Sequence, residues 1–204
     1  MRLIILGIQG SGKGVESQLI EERYKVKKIS TGDLLRKETS RRTNLGKEIS
    51  SYIDKGNLVP DELINRILKK HLPKDDFILD GYPRNLLQAK ILDKIAKIDA
   101  AIYLEIPESE VYKRLALRLQ CKKCGKIYGK NIPAPKSLIC TCGNKLDKRQ
   151  DDINIDSIKK RIELFKKETL PILEHYKAKL MRINGNQPVT PVFNDIKKEL
   201  DKII

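Results

Sequence analysis

The segment Gly7-Ile8-Gln9-Gly10-Ser11-Gly12-Lys13-Gly14 directly follows the apolar run Leu3-Ile4-Ile5-Leu6. The apolar run predicts a buried strand, and residues 13–22 are compatible with a helix. Glycines allow successive backbone N–H groups to point at one anion, and the N-terminus of the following helix adds a favourable dipole. Lys13 supplies a mobile cation. The pattern G-x-x-x-x-G-K after a strand therefore predicts a phosphate-binding loop.

Strand-like and helix-like segments alternate along the rest of the chain. Further strands are predicted at 26–29, 77–80, 101–105 and 180–183, after the first at 2–6. Helices are predicted at 13–22, 32–39, 44–55, 61–71, 84–97, 108–119, 156–177 and 189–203. This alternation predicts an α/β fold with a five-stranded parallel sheet and helices on both faces. Ligands bind such sheets at the carboxyl ends of the strands, where the loop and Asp80 fall.

The composition limits the class of protein. With 204 residues, 42 basic and 27 acidic side chains and a net charge of +15, a single basic domain is expected. The excess charge predicts a solvated lysine-rich surface that steers nucleotides to the cleft. Nucleic-acid binding is less favoured, because aromatic residues make up only 5% of the chain. The sequence shows no signal peptide or membrane span, which predicts a cytoplasmic protein.

All four cysteines lie between residues 121 and 142, which favours a local metal site over a disulfide framework. Cys121-x-x-Cys124 and Cys140-x-Cys142 predict tetrahedral Zn²⁺ with thiolates at about 2.3 Å. Asp147 is a reserve ligand because the second pair is unusually tight, and a disulfide or free thiols are the alternative. Four protein ligands leave no open position, so the zinc is expected to be structural.

Gly14 stands where the common phosphate loop has Ser or Thr for magnesium, which points away from GTPases and ATPases. Three further motifs follow in order: Ser30-Thr31-Gly32-Asp33-Leu34-Leu35-Arg36, Gly56-Asn57-Leu58-Val59-Pro60-Asp61 and Asp80-Gly81-Tyr82-Pro83-Arg84. Together with the loop they resemble the nucleoside monophosphate kinases, most closely the long-lid, zinc-binding adenylate kinase family. The similarity runs from residue 1 to the C-terminus.

The resemblance implies a P-loop three-layer sandwich with a small zinc-knuckle lid. It divides the single domain into a core at 1–29, 60–119 and 153–204, an AMP-binding insertion at 30–59 and a lid at 120–152. The implied activity is ATP + AMP = 2 ADP by direct in-line transfer with Mg²⁺, without a phosphoenzyme. The implied partners are ATP, AMP and ADP, and a monomer is expected.

The same resemblance assigns the site residues. Those for ATP are Gly10, Ser11, Gly12, Lys13, Gly14, Val15, Arg114, Arg118 and Gln187. Those for AMP are Thr31, Arg36, Leu58, Val59, Gly81, Arg84, Gln88, Arg149 and Arg161. The catalytic set is Lys13, Asp80, Arg84, Arg118, Arg149 and Arg161.

The chemistry explains why so many of these residues are cationic. Phosphoryl transfer between two polyanions needs cations more than acid–base groups, which fits the arginines. Asp80 is expected to orient the water shell of Mg²⁺. Asp151 and Asp152 are expected to hold the lid arginines, and Asp33 either caps a helix or serves the site.

The chain departs from the family pattern at five positions. Gln9 replaces a proline, Val15 a threonine whose hydroxyl approaches the α-phosphate, and Glu16 a glutamine. Before the lid, Leu117 and Leu119 replace a glycine and an arginine. These departures predict a raised KM for ATP.

Three other functions remain open from the sequence. The chain could be a monophosphate kinase that uses UMP or CMP as acceptor or GTP as donor. It could be a regulatory protein that binds nucleotide without turnover, or a nucleotide-dependent RNA-binding zinc protein.

Overall fold

The computed structural model describes residues 1–41 and 43–203. Its strands are β1 (Arg2–Leu6), β2 (Lys27–Ser30), β3 (Phe77–Asp80), β4 (Ala100–Glu105), β5 (Leu119–Cys121), β6 (Ile127–Tyr128), β7 (Leu146–Asp147) and β8 (Leu180–Asn184). Its α-helices are α1 (Lys13–Tyr24), α2 (Thr31–Ser40), α3 (Asn44–Ile53), α4 (Asp61–Lys69), α5 (Leu86–Ile95), α6 (Glu108–Leu117), α7 (Ile155–Leu164), α8 (Pro171–His175) and α9 (Val189–Leu200). Shorter helical segments lie at Gln150–Asp152, Phe165–Thr169 and Lys177–Lys179.

Five strands form one parallel sheet in the order β2-β3-β1-β4-β8. Strand β1 is central, and its Ile4 pairs with Leu79 of β3 and Ala101 of β4. Both faces of β1 are covered, so its side chains form a continuous apolar run instead of an alternating pattern. The predicted α/β fold with a five-stranded parallel sheet is confirmed.

The two faces of the sheet bury separate clusters. Ile4 and Leu6 pack in a large cluster with side chains of α2, α3, α4, α5 and α8. Leu3 and Ile5 pack on the opposite face with α1 and α9. The sheet is therefore the middle of three layers, which leaves the carboxyl edge of the strands free to form a site.

Strand β1 turns into the phosphate loop at that edge. Gly12 is the N-cap of α1 with φ of 106°, a left-handed conformation that side chains other than glycine rarely adopt. The N–H groups of Val15 and Glu16 bond to its carbonyl at 2.9 and 3.0 Å. The glycine thus makes the sharp change from loop to helix possible.

Residues 118–149 contain a second, antiparallel sheet in the order β6-β5-β7. It has a small cluster of its own, formed by Cys121, Tyr128, Cys140 and Leu146. The predicted end of the helix at residue 119 is wrong, because α6 ends at Leu117 and the chain then enters β5.

The predicted helix at 156–177 is also wrong as one element. It is interrupted by a π-helical segment, in which the N–H of Leu170 bonds to the carbonyl of Phe165 at 2.9 Å. Pro171 follows, and proline lacks the N–H of a regular helix and collides with the carbonyl four residues earlier. The new helix α8 begins at this proline.

The segment at 30–59 carries α2 and α3 and lies between β2 and α4. Positions 42 and 204, which the predicted insertion and core include, lie outside the described residues. In the part of the chain that the structure describes, no helix has both the length and the apolar character needed to cross a membrane.

Candidate functional site

One cleft at the carboxyl edge of the sheet brings together most of the predicted nucleotide contacts. Its lining includes Gly10, Ser11, Gly12, Lys13, Gly14, Val15, Arg36, Leu58, Val59, Asp80, Gly81, Arg84, Gln88, Arg114, Arg118, Arg149, Arg161 and Gln187. Thr31 is the exception among these predicted residues. It is buried, and its hydroxyl donates to the carbonyl of Gly81 at 2.8 Å.

Lys13 lies at the centre of the cleft, enclosed by its own loop. Its Nζ donates to the carbonyls of Gly7 at 2.6 Å and Ile8 at 2.9 Å. Burial lowers the pKa of Lys13 to about 7; the charge of Asp80 opposes this shift, and nearby arginines add to it. A polyanion bound in the cleft would stabilise the charged form of the Lys13 amine, so the site is suited to bind phosphates.

Arg84 is fixed in the cleft by three contacts. Its backbone N–H donates to Gln88 Oε1 at 2.7 Å, and its Nε donates to the carbonyl of Gly81 at 2.9 Å. Thr169, in the π-helical segment, donates its hydroxyl to the carbonyl of Arg84 at 2.8 Å. Burial lowers the pKa of Arg84, and the charge of Arg161 lowers it further. The irregular turn before Pro171 therefore helps to build the site.

Gln88 is buried behind Arg84. Its Nε2 donates to Asp61 Oδ1 at 2.6 Å, so both ends of the amide contact the protein. Among the described residues, the second N–H of that amide has no hydrogen-bond partner.

Two acidic residues hold the arginines at the base of the antiparallel sheet, as the sequence predicts. Arg118 donates from Nε and Nη2 to the two carboxylate oxygens of Asp152 at 2.7 and 2.6 Å. Arg161 donates to the backbone carbonyl of Asp151 at 2.8 Å and also pairs with both carboxylates. Burial raises the pKa of Asp151, but the neighbouring arginines hold it below its ordinary value. Both arginines are thereby oriented toward the cleft.

Arg149 is positioned by Gln120, which the sequence analysis did not identify. Its Nε donates to Gln120 Oε1 at 2.6 Å, and Gln120 donates in turn to the carbonyl of Gly125 at 3.1 Å. Burial lowers the pKa of Arg149 to about 9, with contributions from Arg118 and Arg36, so it remains a cation at neutral pH. No sequence pattern marks Gln120, because its role depends on a partner 29 positions away.

Asp33 contacts the site through Arg36. Arg36 Nη2 lies 2.5 Å from Asp33 Oδ1, and these charges hold the pKa of Asp33 low although burial alone would raise it. The cap of α2 is Ser30, whose hydroxyl accepts from the N–H of Asp33 at 3.2 Å. Of the two alternatives for Asp33, the helix cap is therefore wrong. The side chain of Asp33 instead contacts Arg36, which is a predicted site residue.

Gly14 brings the antiparallel sheet close to the phosphate loop. A Cβ at this position would lie 3.0 Å from Ile127 Cδ1 of β6 and 3.6 Å from Asp80 Oδ2. A side chain at position 14 would thus crowd Ile127 of β6, the strand that lies beside the loop. The glycine also leaves the carboxylate of Asp80 facing the loop, beside the place where phosphates would bind.

Arg114 connects the loop to the last strand of the sheet. It donates to the carbonyl of Gly185 at 2.9 Å and to that of Gly10 at 3.3 Å. Two residues of the antiparallel sheet region reach this end of the cleft: Lys130 pairs with Glu110 at 2.6 Å, and Asn131 donates to the carbonyl of Gln187 at 2.9 Å. Sequence reasoning missed both, since neither belongs to a motif.

The four cysteine Sγ atoms all lie within 4.8 Å of one another. Cys121 and Cys142 are 3.5 Å apart, as are Cys124 and Cys140, whereas the edge of a tetrahedron with bonds of 2.3 Å is about 3.8 Å. These separations are far longer than a disulfide bond of about 2.05 Å. The donor set therefore fits one tetrahedral, thiophilic metal ion, in agreement with the predicted ligands.

The surroundings of Cys140 favour its thiolate. The backbone N–H of Cys142 and the hydroxyl of Tyr128 lower the pKa of Cys140. Asp147, the reserve ligand, instead pairs with Lys122 at 3.0 Å. The C-x-C spacing thus brings both of its thiols to the cluster without help from the carboxylate.

Comparison with known proteins agrees with this geometry. A family model described as adenylate kinase matches residues 5–181. An adenylate kinase of Clostridium tetani is 40% identical over an alignment of 216 positions that covers 100% of both chains. One of Archaeoglobus fulgidus is 39% identical over 216 positions, with 100% of this chain and 99% of the relative covered. One of Petrotoga mobilis is 40% identical, with 100% and 97% covered. This chain is a phosphotransferase that belongs to the adenylate kinase family.

Proposed function

We propose that this protein catalyses ATP + AMP = 2 ADP by direct in-line transfer of a phosphoryl group. The observation that most supports this proposal is the buried amine of Lys13. Its pKa falls to about 7 in a cleft that also holds Arg84, Arg118 and Arg161. Such a concentration of cations is unfavourable until a polyanion occupies it. Two nucleotides that bring their phosphates together supply that charge.

We assign the two nucleotides to different sides of the cleft. Arg36 and Arg84 bind the phosphate of AMP, and Lys13 and the loop bind the β- and γ-phosphates of ATP. Arg118, Arg149 and Arg161 stabilise the equatorial oxygens of the group in transfer. No general base is required, because the attacking oxygen of AMP is already anionic.

Asp80 is the proposed partner of magnesium. Mg²⁺ bound with ATP would supply charge neutralisation and a template for the phosphates, and it retains several waters when bound. Asp80 fits a role in orienting those waters, because its carboxylate faces Gly14 at the loop.

The cysteine cluster is proposed to hold a structural Zn²⁺. Cys121, Cys124, Cys140 and Cys142 would fill all four positions, which leaves none for substrate. The adjoining apolar cluster is small, so the metal would hold the segment at 120–152 as a lid over the loop.

Selection of AMP rests on the acceptor side. Thr31 holds the carbonyl of Gly81 beside Arg84, and the free N–H of Gln88 is available to an adenine. Leu58 and Val59 complete the proposed base contacts. These features support AMP over UMP or CMP.

The decisive experiment measures ADP formation from Mg·ATP with AMP, UMP, CMP and GMP in turn, and then with GTP as donor. We expect fast turnover with ATP and AMP, and loss of turnover in Lys13→Met. Faster turnover with another acceptor or donor would replace the proposal with a different monophosphate kinase. Binding of ATP without turnover would indicate a nucleotide-binding regulator.

A further inference from the structure

Glu16 is an ionisable residue without a role in the proposed function. It lies in the first turn of α1 and is only 2% exposed. Its Oε2 is buried, and no group in the described residues hydrogen-bonds to it. Among carboxylic side chains, burial without a partner is rare and costly unless the group is neutral.

The helix directs Glu16 toward the middle of the fold. Ile20, one turn later on the same face, packs with Leu104 of β4 and Val192 of α9. At the N-cap of the helix, a Cβ on Gly12 would lie 3.9 Å from Leu104 Cδ1. Glu16 lies midway between Gly12 and Ile20, on the face of α1 that packs toward β4 and α9.

Glu16 nevertheless contributes to the nucleotide cleft. It lines the cleft together with Val15, Val189 and Val192, at the end where the donor nucleotide is proposed to bind. Val15 immediately precedes it and occupies the position expected to approach the α-phosphate. A charge on Glu16 would therefore lie close to the proposed triphosphate.

Among the residues that the structure describes, no nearby cation compensates such a charge. The ionisable groups of α1 and of the elements packed against it are Lys13, Glu21, Glu22, Arg23, Tyr24, Arg2, Lys27, Lys28, Asp80, Tyr103, Glu105, Asp195, Lys197, Lys198 and Glu199. Burial is the only cause that raises the pKa of Glu16, to about 8, and none of those charges contributes. Lys13 directs its Nζ to the carbonyls of Gly7 and Ile8, and Lys28 directs its own to that of Gly14.

We propose that Glu16 is a positioning residue for the donor nucleotide, which binds well beside the neutral carboxylic acid and poorly beside the carboxylate. This inference rests on the proposed function of the cleft. A carboxylic acid offers one donor and one acceptor, like the amide of the glutamine usual in the family, and adds no charge. A carboxylate offers only acceptors and repels the phosphates.

The test is the pH dependence of Mg·ATP binding, measured by calorimetry, and of the KM for ATP between pH 6.5 and 9.5. It compares the wild type with Glu16→Gln and with Glu22→Gln, an exposed residue of the same helix. If only the neutral acid binds well, the wild-type Kd should rise roughly tenfold more than that of Glu16→Gln between pH 7 and 9. We expect Glu22→Gln to keep the kcat of the wild type, and the KM for AMP to be alike in all three proteins.

If the Kd for Mg·ATP changed with pH by the same factor in the wild type and in Glu16→Gln, the inference would be overturned. Lys13 titrates in both proteins, so its contribution cancels in the comparison. Failure of the proposed function would look different: Mg·ATP would bind, but no protein would form ADP with AMP at pH 7. Calorimetry would still decide the role of Glu16 in that case, and absence of any binding would refute both.

Thermal unfolding without nucleotide provides a second readout. The folded-state pKa of Glu16 lies above its ordinary value of 4.5, so the folded state binds more protons than the unfolded state between about 4.5 and 8. The contribution of Glu16 to stability is thus full below pH 4.5 and declines as the pH rises to about 8. We expect the Tm of Glu16→Gln to exceed that of the wild type by more at pH 8 than at pH 5. A constant difference would show that Glu16 does not titrate as proposed.

Discussion

Lys130 Nζ lies 2.6 Å from Glu110 Oε2, which joins the antiparallel sheet region to α6 of the core. The same carboxylate oxygen is 3.7 Å from Nε of Arg114. The next residue, Asn131, donates to the carbonyl of Gln187 at 2.9 Å. Two consecutive residues thus contact Glu110, beside Arg114, and Gln187, and Arg114 and Gln187 are the two predicted donor contacts. We therefore expect closure of the proposed lid to be coupled to the donor end of the cleft.

Breaking this ion pair should weaken donor binding. We expect Lys130→Met to raise the KM for ATP severalfold and to leave the KM for AMP unchanged, because closure would lose a contact on the donor side only. Steady-state kinetics with each substrate varied checks this. Lys136→Met, an exposed residue of the same region, is the control. Equal KM values in Lys130→Met and the control would contradict the coupling.

Arg161→Ala should fold and lose nearly all turnover. Removal of an arginine that stabilises the transferring group costs ~10³–10⁵ in rate. Circular dichroism and the Tm check the fold, and single-turnover kinetics check the chemistry. Lys160→Ala removes an exposed cation one residue away and should remain active. Near-normal activity of Arg161→Ala would count directly against its catalytic role.

Metal removal should loosen the lid. We expect one Zn²⁺ per chain, and its chelation should lower the Tm by about 5 °C or more, since 1 kcal/mol corresponds to about 2–4 °C in a protein of this size. Cys142→Ser should reproduce part of this loss, whereas Asp147→Asn should keep the metal, because Asp147 pairs with Lys122. Metal analysis and limited proteolysis follow the change. An unchanged melting curve after verified metal removal would be incompatible with a structural zinc.

Lys13 should make the stability of the nucleotide-free protein depend on pH. Its folded-state pKa of about 7 lies below its ordinary value of 10.5. Between these values the unfolded state binds more protons, so this residue raises the free energy of unfolding as the pH increases. Below pH 7 the Lys13 amine is charged in the folded and the unfolded state, so the folded state carries the full free-energy cost of burying that charge. We expect the gain in Tm from Lys13→Met to be larger at pH 6 than at pH 9.5, and an equal gain at both would exclude the depressed pKa.

Val15→Thr should improve donor binding. The two side chains have the same shape, and the hydroxyl adds a hydrogen bond that is worth about 0.5–1.5 kcal/mol, or roughly a 2- to 10-fold lower KM for ATP. Val15→Ala, which changes the size without adding a hydroxyl, should give no gain. Calorimetry with Mg·ATP measures the affinity directly. No gain in affinity from threonine would remove Val15 as the cause of a raised KM.

The sequence was sufficient where structure depends on local patterns. The phosphate loop follows from closely spaced glycines after an apolar run, and the parallel sheet follows from alternating elements whose inner strands β1, β3 and β4 are mainly apolar. The metal ligands follow from the confinement of all four cysteines to one short segment. In each case the residues that decide the structure are neighbours in the chain.

Features that depend on distant partners were not predictable in this way. The helical pattern continues through residues 165–169, yet the chain forms a π-helical turn there, and Thr169 donates to the carbonyl of Arg84. Gln120 looks like an ordinary polar residue until Arg149 is placed beside it. The contact of Lys130 with Glu110 likewise joins an exposed lysine to a buried glutamate, and neither residue belongs to a motif. Such roles arise from tertiary packing, which periodicity does not encode.

The paired side chains of Arg118 and Asp152 have a consequence for how this protein can vary. They stand at the two ends of the cysteine-bearing segment, and their bidentate contact keeps those ends adjacent. A segment that leaves and re-enters the core at one place behaves as an exchangeable module, because a change in its length need not move the parallel sheet. The four-cysteine cluster can therefore change, or be engineered, without a rearrangement of the parallel sheet, as long as Arg149 and Lys130 keep their contacts.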